Sequence, residues 1–291
     1  MSNTVLFMKR FLGLVAAGSL CLAAQSNTTV NAWAYNGVTN QAHTTTQTIL
    51  NKDELSTALH SSPILMAGVR SNTVVAFPTP GGKTKEFRMF LSPVMPSSLA
   101  QKYPHIQTYT GIGLDNPGER VSVTTNNSAI KAMILSSKGN IFIDPIKENA
   151  DTYRVSYQEN RKPITDHCSG CGGGDAIIVE PPPGTNVSRN DFPSCVGEAQ
   201  PCYTIGDTLV TFRFAGILTA EANNEFANGT VAGGLAWMNA LVNQINLLWV
   251  RELSFRLELI EDSDALIYTN ETQTPWLFTE YDMYVLSLIH I

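Results

Sequence analysis

The sequence predicts an α+β protein in which a mostly antiparallel β domain precedes the first part of an α/β domain. Three observations predict it. Short β-rich runs alternate with turn residues from Val74 to Pro145. A long amphipathic helical stretch is flanked by strand-like segments after residue 203. A Gly-, Pro- and Cys-rich stretch separates the two regions.

The size and composition fit this reading. A chain of 291 residues can form one large domain or two ordinary ones, and 43% hydrophobic with 15% charged residues suits packed structure. The net charge of -6 comes from scattered Asp and Glu, with no Lys/Arg block to follow a phosphate backbone. Nucleic acid is therefore not an expected partner.

The N-terminus reads as an export signal over residues 1–34, most naturally starting at Met8, with Lys9 and Arg10 ahead of the apolar run Phe11 to Ala24. That run is shorter than the roughly 20 residues that cross a bilayer core, so no stable membrane anchor is expected after cleavage. Cleavage after Ala34 would use the small residues Ala32 and Ala34, and a cut nearer Ser26 is the alternative.

The β-rich domain is expected over residues 35–160. Its strand candidates are Val74 to Phe77, Phe87 to Leu91, Arg120 to Thr125, Ala129 to Leu135 and Ile141 to Ile143. Pro80-Gly81-Gly82, Asn116-Pro117-Gly118 and Lys138-Gly139-Asn140 punctuate them, and Ser97 to Tyr103 supplies a short helix ended by Pro104.

Residues 161–202 read as a linker, because the glycines after Cys171 and the run Pro181-Pro182-Pro183-Gly184 break any periodicity. Cys168, Cys171, Cys195 and Cys202 cluster there, and an even number in an exported chain favours disulfides. Cys168-x-x-Cys171 also has zinc-ligand spacing, and a thiol switch is the third reading.

The second domain, residues 203–285, starts with a strand over Thr208 to Ala215. A helix of about 20 residues follows from Thr230, with Val231, Leu235, Met238, Val242, Ile245 and Trp249 on one apolar face. Asn239, Asn243 and Asn246 fall on a different face, solvated or hydrogen-bonded. Ser254 to Ile260 alternates with period two as a second strand, so the helix is expected to cover one face of a sheet.

Common catalytic signatures fail on inspection. Gly82-Lys83-Thr84 imitates the end of a phosphate loop, but Phe77 stands where the opening glycine is required. No Gly-x-Ser-x-Gly elbow occurs, and Gly111-Ile112-Gly113 lacks the third glycine of a dinucleotide loop. His43, His60, His105, His167 and His290 include no pair four residues apart, so no catalytic zinc site is expected in this chain. Asp262, Asp264 and Asn270 could supply oxygen ligands to calcium, although a solvated turn explains them more simply.

The stretch FPTPGGKTKEFRMFLSPVMPSSLAQKYPHIQTYTGIG (Phe77 to Gly113), with NIFIDP (Asn140 to Pro145), resembles the propeptide-like region of bacterial reprolysin-like metallopeptidases, which are metzincins. The segment from Thr211 through AEANNEF to WVRELSFRLELIEDSDALIYTNETQTPW resembles the start of their peptidase domain. The resemblance implies a propeptide-like β domain before the first part of a zincin domain. It also implies a full-length parent that hydrolyses protein or peptide substrates with zinc. The family's motif, His-Glu-x-x-His-x-x-Gly-x-x-His, lies downstream of the segment matching Leu266-Ile267-Tyr268, so no catalytic or metal-ligating residue carries over. Residues 286–291 look like the translation of a sequencing adapter, with a natural apolar strand as the alternative. A secreted adhesion or binding protein with a non-catalytic zincin-like domain is the rival expectation.

Overall fold

Runs of Val, Ile, Phe and Thr alternating with polar residues bury one face of an extended chain, and here they assemble one large sheet. The computed structural model describes residues 29–40, 45–126, 129–147, 151–160, 208–270 and 272. Among these residues the fold is α+β, with a large, curled, mostly antiparallel sheet and few helices. Its strands are β1 (Thr29–Val30), β2 (Trp33–Asn40), β3 (Thr45–Leu50), β4 (Val74–Pro78), β5 (Thr84–Leu91), β6 (Gln107–Gly113), β7 (Arg120–Thr125), β8 (Ile130–Leu135), β9 (Ile141–Pro145) and β10 (Thr152–Tyr157). Their spatial order is β1-β4-β5-β6-β7-β8-β9-β10-β3-β2. Within this sheet β1 and β4 pair in parallel, and the other neighbours pair antiparallel.

Strand twist accumulates across so many strands until the sheet curls on itself. The Trp33 ring of β2 lies 6.3 Å from that of Phe77 on β4, and the Tyr35 hydroxyl donates to the carbonyl of Lys83. Alternate residues fill the interior, among them Val75, Phe77, Phe87, Tyr109, Ile134 and Tyr153. At Gly111 a Cβ would stand 2.6 Å from both Met89 Sδ and Val121 Cγ1, so the interior has no room for any side chain there. Helix α1 (Lys52–His60) adds Leu55, Ala58 and Leu59 to this core. Its start is fixed by Asn51, which accepts from the Glu54 amide at 3.3 Å and donates to the Glu54 carboxylate at 3.1 Å.

The remaining elements are α2 (Ser97–Lys102), β11 (Val210–Phe214), α3 (Ala220–Phe226), α4 (Val231–Leu253) and β12 (Phe255–Leu259). β11 and β12 form a parallel pair. Thr230 caps α4, its Oγ1 accepting from the Gly233 amide at 3.0 Å, and Ser254 ends the helix in a left-handed conformation with φ of 53°. Leu235, Met238 and Val242 share one core with Leu257 and Leu259 of β12 and with Val94, Leu99 and Ile106 of the β5–β6 connection.

Several expectations change. The sequence places the start of the β domain at residue 35, but among the described residues the sheet already includes Thr29 and Val30, and Ala32 and Trp33 lie in its core. β1, β2, β3, β6, β10, α1 and α3 are additions to the strands and helices expected. The helix expected to cover one sheet lies between two, because its Asn239, Asn243 and Asn246 are buried and α4 also packs on β6, β7 and β8. Trp249, placed on the apolar face, is 39% exposed, since that face outruns the short β11–β12 pair.

Candidate functional site

The outer face of the large sheet carries the residues that point away from its core, and α3 and α4 stand over part of it. Between them lies a groove of about 1200 Å3. Strand register sets its floor. Thr124 of β7 is opposite Lys131 of β8, and Asp144 of β9 is opposite Arg154 of β10, which is opposite Gln47 of β3. These five residues line the groove, so its floor bears cations and an anion at fixed strand spacing.

The wall is aromatic. Phe226, at the end of α3, stacks on Trp237 of α4 with ring centroids 5.9 Å apart and planes 23° apart. Gly233, Ala236 and Ala240 of α4 also line the groove, and their small size keeps it open toward the sheet. The turn into α4 is held from within: Asn228 has φ of 45°, and its Oδ1 accepts from the Thr230 hydroxyl at 2.7 Å. An aromatic pair beside a mixed-charge floor can bind an elongated polar ligand through stacking and charge-assisted hydrogen bonds. No histidine or cysteine among the described residues lines it, so it brings together no His- or Cys-based catalytic pair.

The sequence-singled residues lie elsewhere. Cys168, Cys171, Cys195 and Cys202, with His43, His167 and His290, fall outside the described residues. The His60 ring reaches the Ser56 carbonyl at 2.7 Å, and His105 packs edge-on to Tyr103 at 6.4 Å. Asp264 is bound by Lys102 and by the Tyr103 hydroxyl at 3.1 Å, while Asn270 accepts from the Thr272 amide at 3.1 Å. The Lys102 ammonium, then the tyrosine hydroxyl, holds the Asp264 carboxyl below the usual range, and Asp264 in turn raises Lys102. Among the described residues no three His, Cys, Asp or Glu side chains gather as a metal site would require. Inside the curled sheet, burial pushes the Tyr109 and Tyr153 hydroxyls up to about 12.

Sequence reasoning missed the groove. Its only local signal is the period-two alternation that turns Lys131 and Arg154 outward from strands whose neighbours are buried. Compared with family models, curated proteins and solved structures, the chain has no match in any of the three.

Proposed function

We propose that the chain is the N-terminal part of a secreted, zinc-dependent metalloendopeptidase, with the curled sheet serving as a propeptide-like module that folds and holds the first elements of the peptidase domain. One observation carries this reading: α4 is clamped between the two sheets, so the packing of the β11–α4–β12 unit depends on the β domain. A module whose task is to template a neighbouring domain needs such an interface. The resemblance of the two stretches around Phe77 to Gly113 and Thr211 to Trp276 points the same way. Among the described residues no three His, Cys, Asp or Glu side chains gather, and this reading assigns bond cleavage to residues outside them.

The test is to re-read the source DNA across the codons for Val285 to Ile291 and to assay the resulting full-length protein on casein with and without a chelator. A downstream His-Glu-x-x-His-x-x-Gly-x-x-His and chelator-sensitive hydrolysis are expected. A genuine stop after Ile291 overturns the reading. The groove with its Phe226–Trp237 wall favours a second reading, a secreted binding protein whose recognition surface is that groove.

A further inference from the structure

Two apolar cores run across the boundary between residues 29–160 and residues 208–270. In one, Val94, Leu99 and Ile106 of the β5–β6 connection pack with Leu235, Val242 and Leu259, and none of the six is more than 2% exposed. In the other, Met133 and Leu135 of β8 pack with Leu247 of α4. Main chain crosses as well. The Leu259 amide of β12 donates to the Val94 carbonyl at 2.9 Å, so the β5–β6 connection serves as a further backbone partner of the β11–β12 pair. Beside it the Arg256 guanidinium donates to the Pro93 carbonyl, and the buried Asn243 amide donates from α4 into β7. Interfaces between independent domains are more polar than this, whereas an apolar, tightly packed one resembles a domain core cut in two. Among the described residues the sheet of the second half has two strands, too few to stand without a covering layer. Drawing α4 off the large sheet would open both cores to water and leave that pair uncovered.

We propose that the β domain is a permanent partner of the β11–α4–β12 unit, so that hydrolysis of a peptide bond within residues 161–207 divides the chain without dividing the particle. The two pieces stay together through the buried contacts alone, and a cut there is not a release step. The inference rests on these contacts and not on the peptidase reading. If that reading also holds, the β domain remains on the processed enzyme as a non-covalent subunit, and removing it requires degradation of the β domain itself.

The test is to insert a site for a sequence-specific protease between Gly206 and Asp207 of the full chain, cut the purified protein to completion, and examine it on a sizing column and by native mass spectrometry. All five cysteines precede this point, so no disulfide can tether the pieces. The pieces should elute together at the mass of the uncut chain from about 10 μM down to about 0.1 μM. The Leu259 amide should stay as protected from exchange as before the cut. In urea the cut pieces should separate at a midpoint that rises with protein concentration, as mass action requires of a two-piece complex. Val94→Asp, which puts a charge into the shared core, and the milder Asn243→Ala should each lower that midpoint. Where Val94→Asp fails to fold before cutting, Asn243→Ala decides. Separation of the pieces in the absence of urea, loss of the folded state on cutting, or an unchanged midpoint in Asn243→Ala overturns the proposal. A genuine stop after Ile291 removes the peptidase reading and leaves retention standing; separated pieces beside an intact downstream zinc motif do the reverse.

Discussion

The side-chain amide of Asn243 in α4 donates to the backbone of β7, its Nδ2 standing 3.1 Å from the carbonyl oxygen of Val123. The Tyr109 carbonyl on β6 and the Thr124 hydroxyl lie within 3.3 Å of the same nitrogen. Asn243 is 3% exposed, so this amide is withdrawn from water and anchored to the outer face of the large sheet. Replacing it with the similar-sized Leu would leave polar oxygens facing an apolar group.

Asn243→Leu should therefore destabilise the protein by about 1–3 kcal/mol. Urea unfolding followed by tryptophan fluorescence and by circular dichroism would read it. Because α4 is bound to both sheets, the two probes should report one coincident transition in the parent chain. Separate transitions there would mean that the two regions unfold independently and that the amide does not join them.

A second asparagine does different work. Asn246 stands in for a neighbouring strand by pairing with both backbone groups of Leu257. Asn246→Ala should speed exchange of the Leu257 amide at least tenfold while leaving amides in β6 and β7 protected. It should also cost about 1–3 kcal/mol, the penalty for a buried donor and acceptor left unmade. Unchanged exchange at Leu257 would show that water or another group replaces the amide at no cost.

These asparagines mark the limit of what the sequence discloses. Their face on the helix is legible from spacing alone, but Asn243 meets a carbonyl 120 positions earlier, and no local pattern carries that contact. Strands β4, β5, β7, β8 and β9 are legible because apolar and β-branched residues dominate them. β3 reads Thr-Thr-Gln-Thr-Ile-Leu, with apolar side chains only at its last two positions, and β6 carries Gly111 and Gly113, so both lack a run of large apolar residues although tertiary packing makes them strands. The groove was hidden for the same reason as the Asn243 contact: Gln47, Lys131, Asp144, Arg154 and Trp237 come from distant segments that only strand pairing and the packing of α4 unite.

The Lys102–Asp264 contact, joining α2 to the 3-10 turn Ser263–Leu266, gives a pH signature. Asp264 is held below its ordinary value, so its contribution is present above the unfolded carboxylate value near 3.9 and is lost as pH falls through the lowered folded value. Lys102 is raised, so its share persists below about 10.4 and disappears as pH rises through the folded value. Asp264→Asn should lower Tm at pH 7 by no more than about 4 °C, because the pair is partly solvated. The two Tm curves should converge once the pH has fallen through the lowered folded value of Asp264. A gap that stays constant into acid would assign the loss to packing instead of charge.

Trp33 decides where the folded β domain can begin. Its side chain is 6% exposed, edge-on to Tyr153 at 5.3 Å and tilted against Phe77 at 6.3 Å, so it joins β2 to strands on both sides of the curled sheet. Just before it, β1 pairs with β4 through Thr29 and Val30, and the Ala32 carbonyl accepts from the Asn51 amide at the start of α1. A chain cut after Ala34 loses all three contacts, whereas one cut near Ser26 keeps them. Removing a buried Trp alone costs about 3–5 kcal/mol, a large part of the stability of an ordinary domain. A protein starting at Asn27 should therefore fold cooperatively, and one starting at Tyr35 should be poorly soluble or unfold at markedly lower urea. If export processing occurs, N-terminal sequencing of the secreted protein should find the cut upstream of Thr29. A folded, equally stable protein starting at Tyr35 would show that the Trp33 contacts are dispensable and that the cut after Ala34 is compatible with the fold.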